Sequence, residues 1–456
     1  MFLRKGGIPP TACAGKYRRT TENSTGFLGT RRPAALPARR LPVWAVVGLL
    51  IWPGSGIALV VQELPDNSGA PADSSRQSGG PGGFRFPLPA ELVSQGWIAL
   101  FDGSTLYGWR AESDANWRVD AGCLVADQGS PGLLRTTSQF SDFDLHVEFN
   151  APSAANSGVL VRTSPRPGDR TSDGYEISIA PVDDYFPTGS IIQRQVARIP
   201  EGGQTVDREG GWQSLDIRIV GGRIEVRLND QLVASTDDRR PLGRGYVALR
   251  FDGRPVRFRS IRLKPLNATS LYNHRDTGGW RQAGDCGVQI GESGDLLLSG
   301  GPGRLESVGR FGDFVMQLEC RLDSGQNSGV FYRCVPGEPL NGYEIQLDNS
   351  ARPTDPAQPA NAGTGAIFRR TTARRLAAAD DTWFALTAAV CGPHVSVWVN
   401  GYQVTDWTDQ RPPDPNPRRG SRLQPGSLML QGHDRQTRVR FRQIEAAELR
   451  PRRTGQ

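Results

Sequence analysis

Between Asn327 and Asp348 the chain reads NSGVFYRCVPGEPLNGYEIQLD. From Tyr343 the residues alternate strictly. A strand there lays Glu344, Gln346 and Asp348 along one face and Tyr343, Ile345 and Leu347 along the other. Polar groups in a row over an apolar back make either a solvated edge or a surface that can bind and move protons. At about 6.8 Å per pair of residues, Glu344 and Asp348 stand roughly 13 Å apart, so a partner for either must come from another strand. His433-Asp434, in the run QGHD near a late strand end, is the candidate, because an imidazole titrates close to neutrality. Arg333, at the end of NSGVFYR, is placed to orient Glu344 or bind a hydroxyl, and Asn327 to hold a turn or a hydroxyl. Plain structural readings compete: a turn at Asn327-Ser328-Gly329, a cross-strand pair of Glu344 with Arg333, a loop histidine at 433. His146, His274 and His394 have no comparable surroundings.

A near copy of this stretch lies about 170 residues earlier, as NSGVLVR (Asn156 to Arg162) and DGYEISIA (Asp173 to Ala180). It keeps Asn156, Arg162 and Glu176. Ser178 and Ala180 stand where the later copy has Gln346 and Asp348, and the late strand ALRFDG (Ala248 to Gly253) has no histidine. The first copy therefore reads as noncatalytic or as a binding copy, and activity, if present, is expected in the second copy even when isolated.

The elements that must position these groups are short strands. Leu215 to Val220 and Ile224 to Leu228 face each other across glycines, and Asn229-Asp230 turns into the next strand. Phe143 to Phe149 alternates like a half-buried strand, and no stretch has convincing helical periodicity. The programme restarts near Leu271: Trp109 matches Trp280, Trp212 matches Trp383 and Asn229 matches Asn400. Repeats of this length are whole domains. The predicted fold is all-β, two tandem jelly-roll sandwiches spanning 95–266 and 267–456. The four tryptophans are expected in the core.

A chain of 456 residues needs two domains or more, and 55 glycines with 34 prolines imply many turns. The net charge of +7 is local. Residues 1–40 hold nine of the 54 basic residues and one of the 47 acidic ones, leaving 45 basic against 46 acidic. The folded part is thus neutral, which argues against a nucleic-acid partner. Six scattered cysteines, with no CxxC pair, read as buried residues rather than a zinc site. Residues 41–61 are uncharged and come directly after Arg39-Arg40. They read as a transmembrane anchor or a cleaved signal that carries the rest of the chain out of the cytoplasm. Residues 62–94 are rich in Pro, Gly and Ser and read as a flexible tether.

The motifs NSGVFYR, GYEIQLD, TGAIF, WVNGYQVTDW (Trp398 to Trp407) and LQGHD with VRFRQIEAAEL together resemble the 3-keto-disaccharide hydrolase domain, twice over, across about 95–266 and 267–450. The resemblance implies a concanavalin A-like jelly roll and cleavage of glycosides already oxidised at sugar C3. The ketone acidifies the C2 proton, so a base can remove it and expel the C1 substituent before water adds. On that implication Glu344, His433 and Asp348 are the catalytic candidates, and Asn327, Arg333, Gln346 and Asp434 the substrate-binding ones. The span from Glu344 to Asp348 exceeds that of a direct-hydrolysis carboxylate pair. A divalent metal at Glu344 or His433 is left open, because no ligand spacing demands one. Two other readings stand beside this one, a lectin-like surface protein and a structural or adhesive one.

Overall fold

A computed structural model describes residues 80–169, 172–198 and 211–453. Among these residues the chain is built almost wholly from antiparallel strands, arranged as two tandem sheet-on-sheet sandwiches. Each sandwich pairs a five-stranded sheet with an eight-stranded one. In the first, the smaller sheet comprises β1 (Trp109–Ala111), β2 (Gly132–Phe140), β3 (Ser157–Thr163), β4 (Tyr175–Ile179) and β5 (Gly245–Phe251), in spatial order β1-β2-β5-β3-β4. The second repeats it with β6 (Trp280–Gly284), β7 (Gly303–Ser307), β8 (Asn327–Cys334), β9 (Tyr343–Asp348) and β10 (Ser427–Gly432), in order β6-β7-β10-β8-β9. In both, the last-named strand is the sheet edge.

The alternation in the sequence is what makes these sheets stack. In Gln213–Val220 the residues Leu215, Ile217 and Ile219 are buried, and Asp216 and Arg218 are not. Across Gly221-Gly222 the strand pairs in register with Arg223–Leu228, Ile219 opposite Ile224. Each apolar face meets the inner face of its partner sheet in one continuous core. Trp109 and Trp280 are buried and donate their indole N–H to Leu100 O and Leu271 O at 2.6 and 2.7 Å. Trp212 and Trp383 are half-buried instead, each covered by an arginine, Arg259 at 3.9 Å and Arg442 at 4.1 Å from the ring centre. Cys123, Cys286, Cys320, Cys334 and Cys391 are buried free thiols, and Cys13 lies outside the described residues.

The two sandwiches share buried surface. Trp398 of the second is 1% exposed, sits 6.3 Å from Phe140 of the first, and donates its indole N–H to Ala99 O at 2.9 Å. Arg374 pairs with Asp102 at 2.9 Å and Arg244 with Asp313 at 3.0 Å across the same seam. Between them Asp406 accepts bonds from Thr137 (2.9 Å), Ser396 (3.0 Å) and His394 (2.6 Å).

The chain ends trade places. Phe84 lies 4.7 Å from Tyr402 of the second sandwich, and Phe86 and the buried Leu88 join it there before a short helix, Ala90–Ser94. At the other end, Leu449 joins the first core, Arg450 N donates to Ser141 Oγ at 3.0 Å, and Arg452 bonds Arg162 O and Asp173 O. The flexible tether expected through residue 94 is thereby corrected from residue 80 onward. Phe84, Phe86 and Leu88 alternate, and that apolar row packs. The anchor or signal segment at 41–61 lies outside the described residues, among which no helix is long and apolar enough to cross a membrane.

Candidate functional site

The site starts from β9. Tyr343, Ile345 and Leu347 are buried in the second core. That turns Glu344, Gln346 and Asp348 to the outer face of the sheet. On β8 they face Phe331, Gly329 and Asn327 in turn. A Cβ at 329 would lie 2.7 Å from Glu344 Oε1 and displace it, so with glycine there the carboxylate rests over the bare backbone. On the far side of β8, β10 sets Met429 opposite Phe331, and β7 then sets Arg304 opposite Gln431. Residues Gly363 to Phe368 run along the free edge of β9. Gly365 N donates to Gln346 O and Phe368 N to Glu344 O, so Phe368, 41% exposed, stands beside Glu344.

The electrostatics single out Glu344. Burial pushes its carboxyl up to about 7, and the opposing fields of His433, Arg418 and Arg369 offset this only in part. Among the described residues nothing donates a hydrogen bond to that carboxylate. His433 is exposed, and its Nδ1 lies 2.9 Å from Asp434 Oδ2. Gln346 Nε2 donates to Asn327 Oδ1 at 2.8 Å. Its own Oε1 and that of Gln431 are buried without a partner, on a face where a hydroxyl could supply one. Arg369 sits over the Phe368 ring at 5.3 Å, and Arg418 is fixed by Leu340 O at 2.7 Å.

The structure thus brings Glu344, Gln346 and Asn327 together on one sheet face, with His433 in the field at Glu344 and Asp434 holding its ring. Two expectations are corrected. Arg333 does not reach Glu344. A bulge shifts the register between Phe331 and Cys334, Arg333 takes φ +49°, and its guanidinium turns inward to Asp313 (2.6 Å), Gly312 O and Gly392 O. Asp348 accepts bonds from Ser350 on one oxygen and Asn361 on the other, which assigns it to the adjoining turn rather than to proton transfer. Gln431, Phe368, Arg369 and Arg418 join the site without being among the residues expected from the sequence. Phe368 closes the TGAIF run and Gln431 opens QGHD, so both lay inside recognised motifs. Arg418 stands in a Pro-rich loop with no local signal. No three His, Cys, Asp or Glu side chains converge as a metal site among the described residues, so Glu344 and His433 lack a third such ligand.

The first sandwich carries a pairing that the second lacks. Glu176 occupies the place of Glu344, opposite Leu160, and Arg250 that of Gln431, opposite Gly158. Arg250 Nη1 bonds Glu176 Oε1 at 2.9 Å and Asn156 Oδ1 at 3.0 Å. A carboxylate so paired is not available as a base. At the position of His433 stands Asp252, which accepts from Asn156 N and Arg254 N.

The sequence matches the family model described as the 3-keto-alpha-glucoside-1,2-lyase-like domain at residues 96–264 and again at 267–447. A 3-keto-disaccharide hydrolase from Bacteroides thetaiotaomicron is 24% identical over 237 residues, which are 40% of this chain and 82% of that protein. Among solved structures, a Parabacteroides distasonis protein described as a candidate glycosyl hydrolase is 20% identical, covering 40% of this chain and 98% of its own at a TM-score of 0.35. A carbohydrate-binding module from Bacillus subtilis is 13% identical, covering 34% of this chain and 95% of its own at a TM-score of 0.26.

Proposed function

The chain belongs to the 3-keto-alpha-glucoside-1,2-lyase-like domain family, in two tandem copies, and from that premise we propose that its second sandwich cleaves 3-keto-glycosides with Glu344 as the base. The observation that carries this reading is the unpaired carboxyl of Glu344, pushed up to about 7 by burial on the outer face of the sheet. A base poised near the working pH combines a populated carboxylate with useful basicity.

In the first step the Glu344 carboxylate takes the proton from C2. The C–H pair moves to the C2–C3 bond and the ketone oxygen becomes an enolate, stabilised by the guanidiniums of Arg369 and Arg418. The enolate reforms the ketone as the C1–O bond breaks, and the leaving alkoxide takes up the proton that Glu344 carries, which restores the carboxylate. Water then adds at C1 of the resulting enone and C2 is reprotonated, which restores a 3-keto sugar. Gln346 Oε1 and Gln431 Oε1 accept ring hydroxyls, and Phe368 lies under the apolar sugar face. Asp434 positions the imidazole. We extend the reading to a jelly-roll class for both sandwiches and to an extracytoplasmic place, held at a membrane by residues 41–61 or exported by them.

The test is to incubate the full chain with 3-keto-trehalose, with and without EDTA, and measure release of 3-ketoglucose and glucose. Absence of both products under either condition would count against the assignment. Since the active form is the carboxylate, kcat/KM should rise about tenfold per pH unit below about pH 7 and level off above it. A profile flat from pH 5 to pH 8 would remove Glu344 as the base. Phe368→Ala should raise KM about fivefold with kcat nearly kept, since one aromatic contact contributes about 1 kcal/mol. A fall in kcat alone would place Phe368 elsewhere in the mechanism.

A further inference from the structure

On the first sandwich, β2, β5, β3 and β4 lie where β7, β10, β8 and β9 lie in the second. Over them opens a cavity of about 390 Å³ whose lining includes Glu112, Leu133, Leu160, Arg166, Glu176 and Arg250. That is a volume ordinary for a small-ligand site. The register places Leu133 opposite Arg250, and Arg250 opposite Gly158, on one face of the sheet.

Each carboxylate in this hollow is paired with a guanidinium. Glu176, 3% exposed, is bound by Arg250. Glu112 accepts from Arg135 Nε at 2.8 Å on one oxygen and from Arg166 Nε at 3.1 Å on the other. Carboxylates and guanidiniums paired in this way offer acceptors and donors for vicinal hydroxyls. Leu133 and Leu160, at the places of Arg304 and Phe331, supply an apolar floor for the C–H face of a ring, and Pro165 and Pro167 complete the rim. The base is sequestered by Arg250, and no imidazole stands at Asp252. This arrangement suits holding a sugar and not reacting with it.

We propose that this cavity of the first sandwich is a second glycan site, which binds a neutral, unoxidised glycoside without turnover. Such binding does not depend on the chemistry assigned to the second sandwich, and its test is read on binding alone. The full chain carrying Glu344→Gln is titrated calorimetrically with trehalose, maltose, cellobiose and lactose. At least one should bind saturably with one site per chain. Arg166→Ala, on the exposed rim where it cannot unfold the sandwich, should weaken that binding about fivefold. Arg250→Met should weaken it tenfold or more, while adding Phe368→Ala should leave it unchanged. Binding to none of the four sugars overturns the proposal. So does binding that survives both arginine substitutions and is lost with Phe368→Ala, which would put the sugar on the second sandwich.

Discussion

Glu344→Gln should lower kcat for 3-keto-trehalose by roughly 100- to 10,000-fold, the usual worth of a positioned general base, with KM changed far less. The amide keeps the size of the side chain over Gly329, where there is no room for more, and it cannot accept the C2 proton. The first copy cannot compensate, because Glu176 is held by Arg250. The same substitution separates a catalytic loss from a folding one. A carboxyl raised from 4.5 to about 7 binds a proton more readily folded than unfolded. The wild-type chain therefore loses stability as pH climbs from about 4.5 to about 7, by an upper bound of about 3 kcal/mol. The glutamine variant should lack that slope and melt no lower than wild type above pH 7. Turnover unchanged in this variant would sink the proposed chemistry. Lost turnover together with a lowered melting temperature at pH 8 would point to misfolding instead.

The second large effect concerns the seam. Trp398→Ala should destabilise the chain by about 3–5 kcal/mol, the cost of emptying a large buried aromatic site. It also strands Ala99 O, which the indole N–H now satisfies at 2.9 Å. The consequence for the separated second sandwich is larger still. A fragment covering 267–456 exposes Trp398, Ala389, Cys391 and Val315, all counted in the first core, and lacks the Phe84–Leu88 segment that packs on Tyr402. It should aggregate or melt well below the full chain. The expectation that this fragment works alone gives way to a joint unit. Recovery of a soluble, active fragment with the wild-type melting temperature would contradict this.

How much was legible depends on the range of each signal. Period-two alternation is local, and it placed Glu344 and Gln346 on one face and their neighbours in the core. The duplication was legible because both copies keep the same residues at matched places, and the structure gives those residues the same unusual backbone: Arg162 and Arg333 sit at φ +48° and +49°, and Asn229 and Asn400 at +47° and +48°. Those oddities also defeated the reading of Arg333. Counting by twos puts it on the face of Glu344, but the bulge rotates it inward to Asp313. Gln431 and Arg418 reach the site through contacts with Ser328 and Leu340, 103 and 78 residues distant, which no spacing along the chain reveals. Phe84 to Leu88 was hidden by the Pro/Gly/Ser composition around it.

The traded chain ends carry a mechanical consequence. A pull transmitted through the N-terminal segment arrives at Tyr402 and Leu88, on the distal sandwich, before any load reaches the strands between 98 and 265. A pull on the C-terminus lands on Ser141 and Arg162 of the proximal one. Tension between the two ends therefore loads each half through the chain end that packs on it, and the Trp398 seam lies between the two points of load.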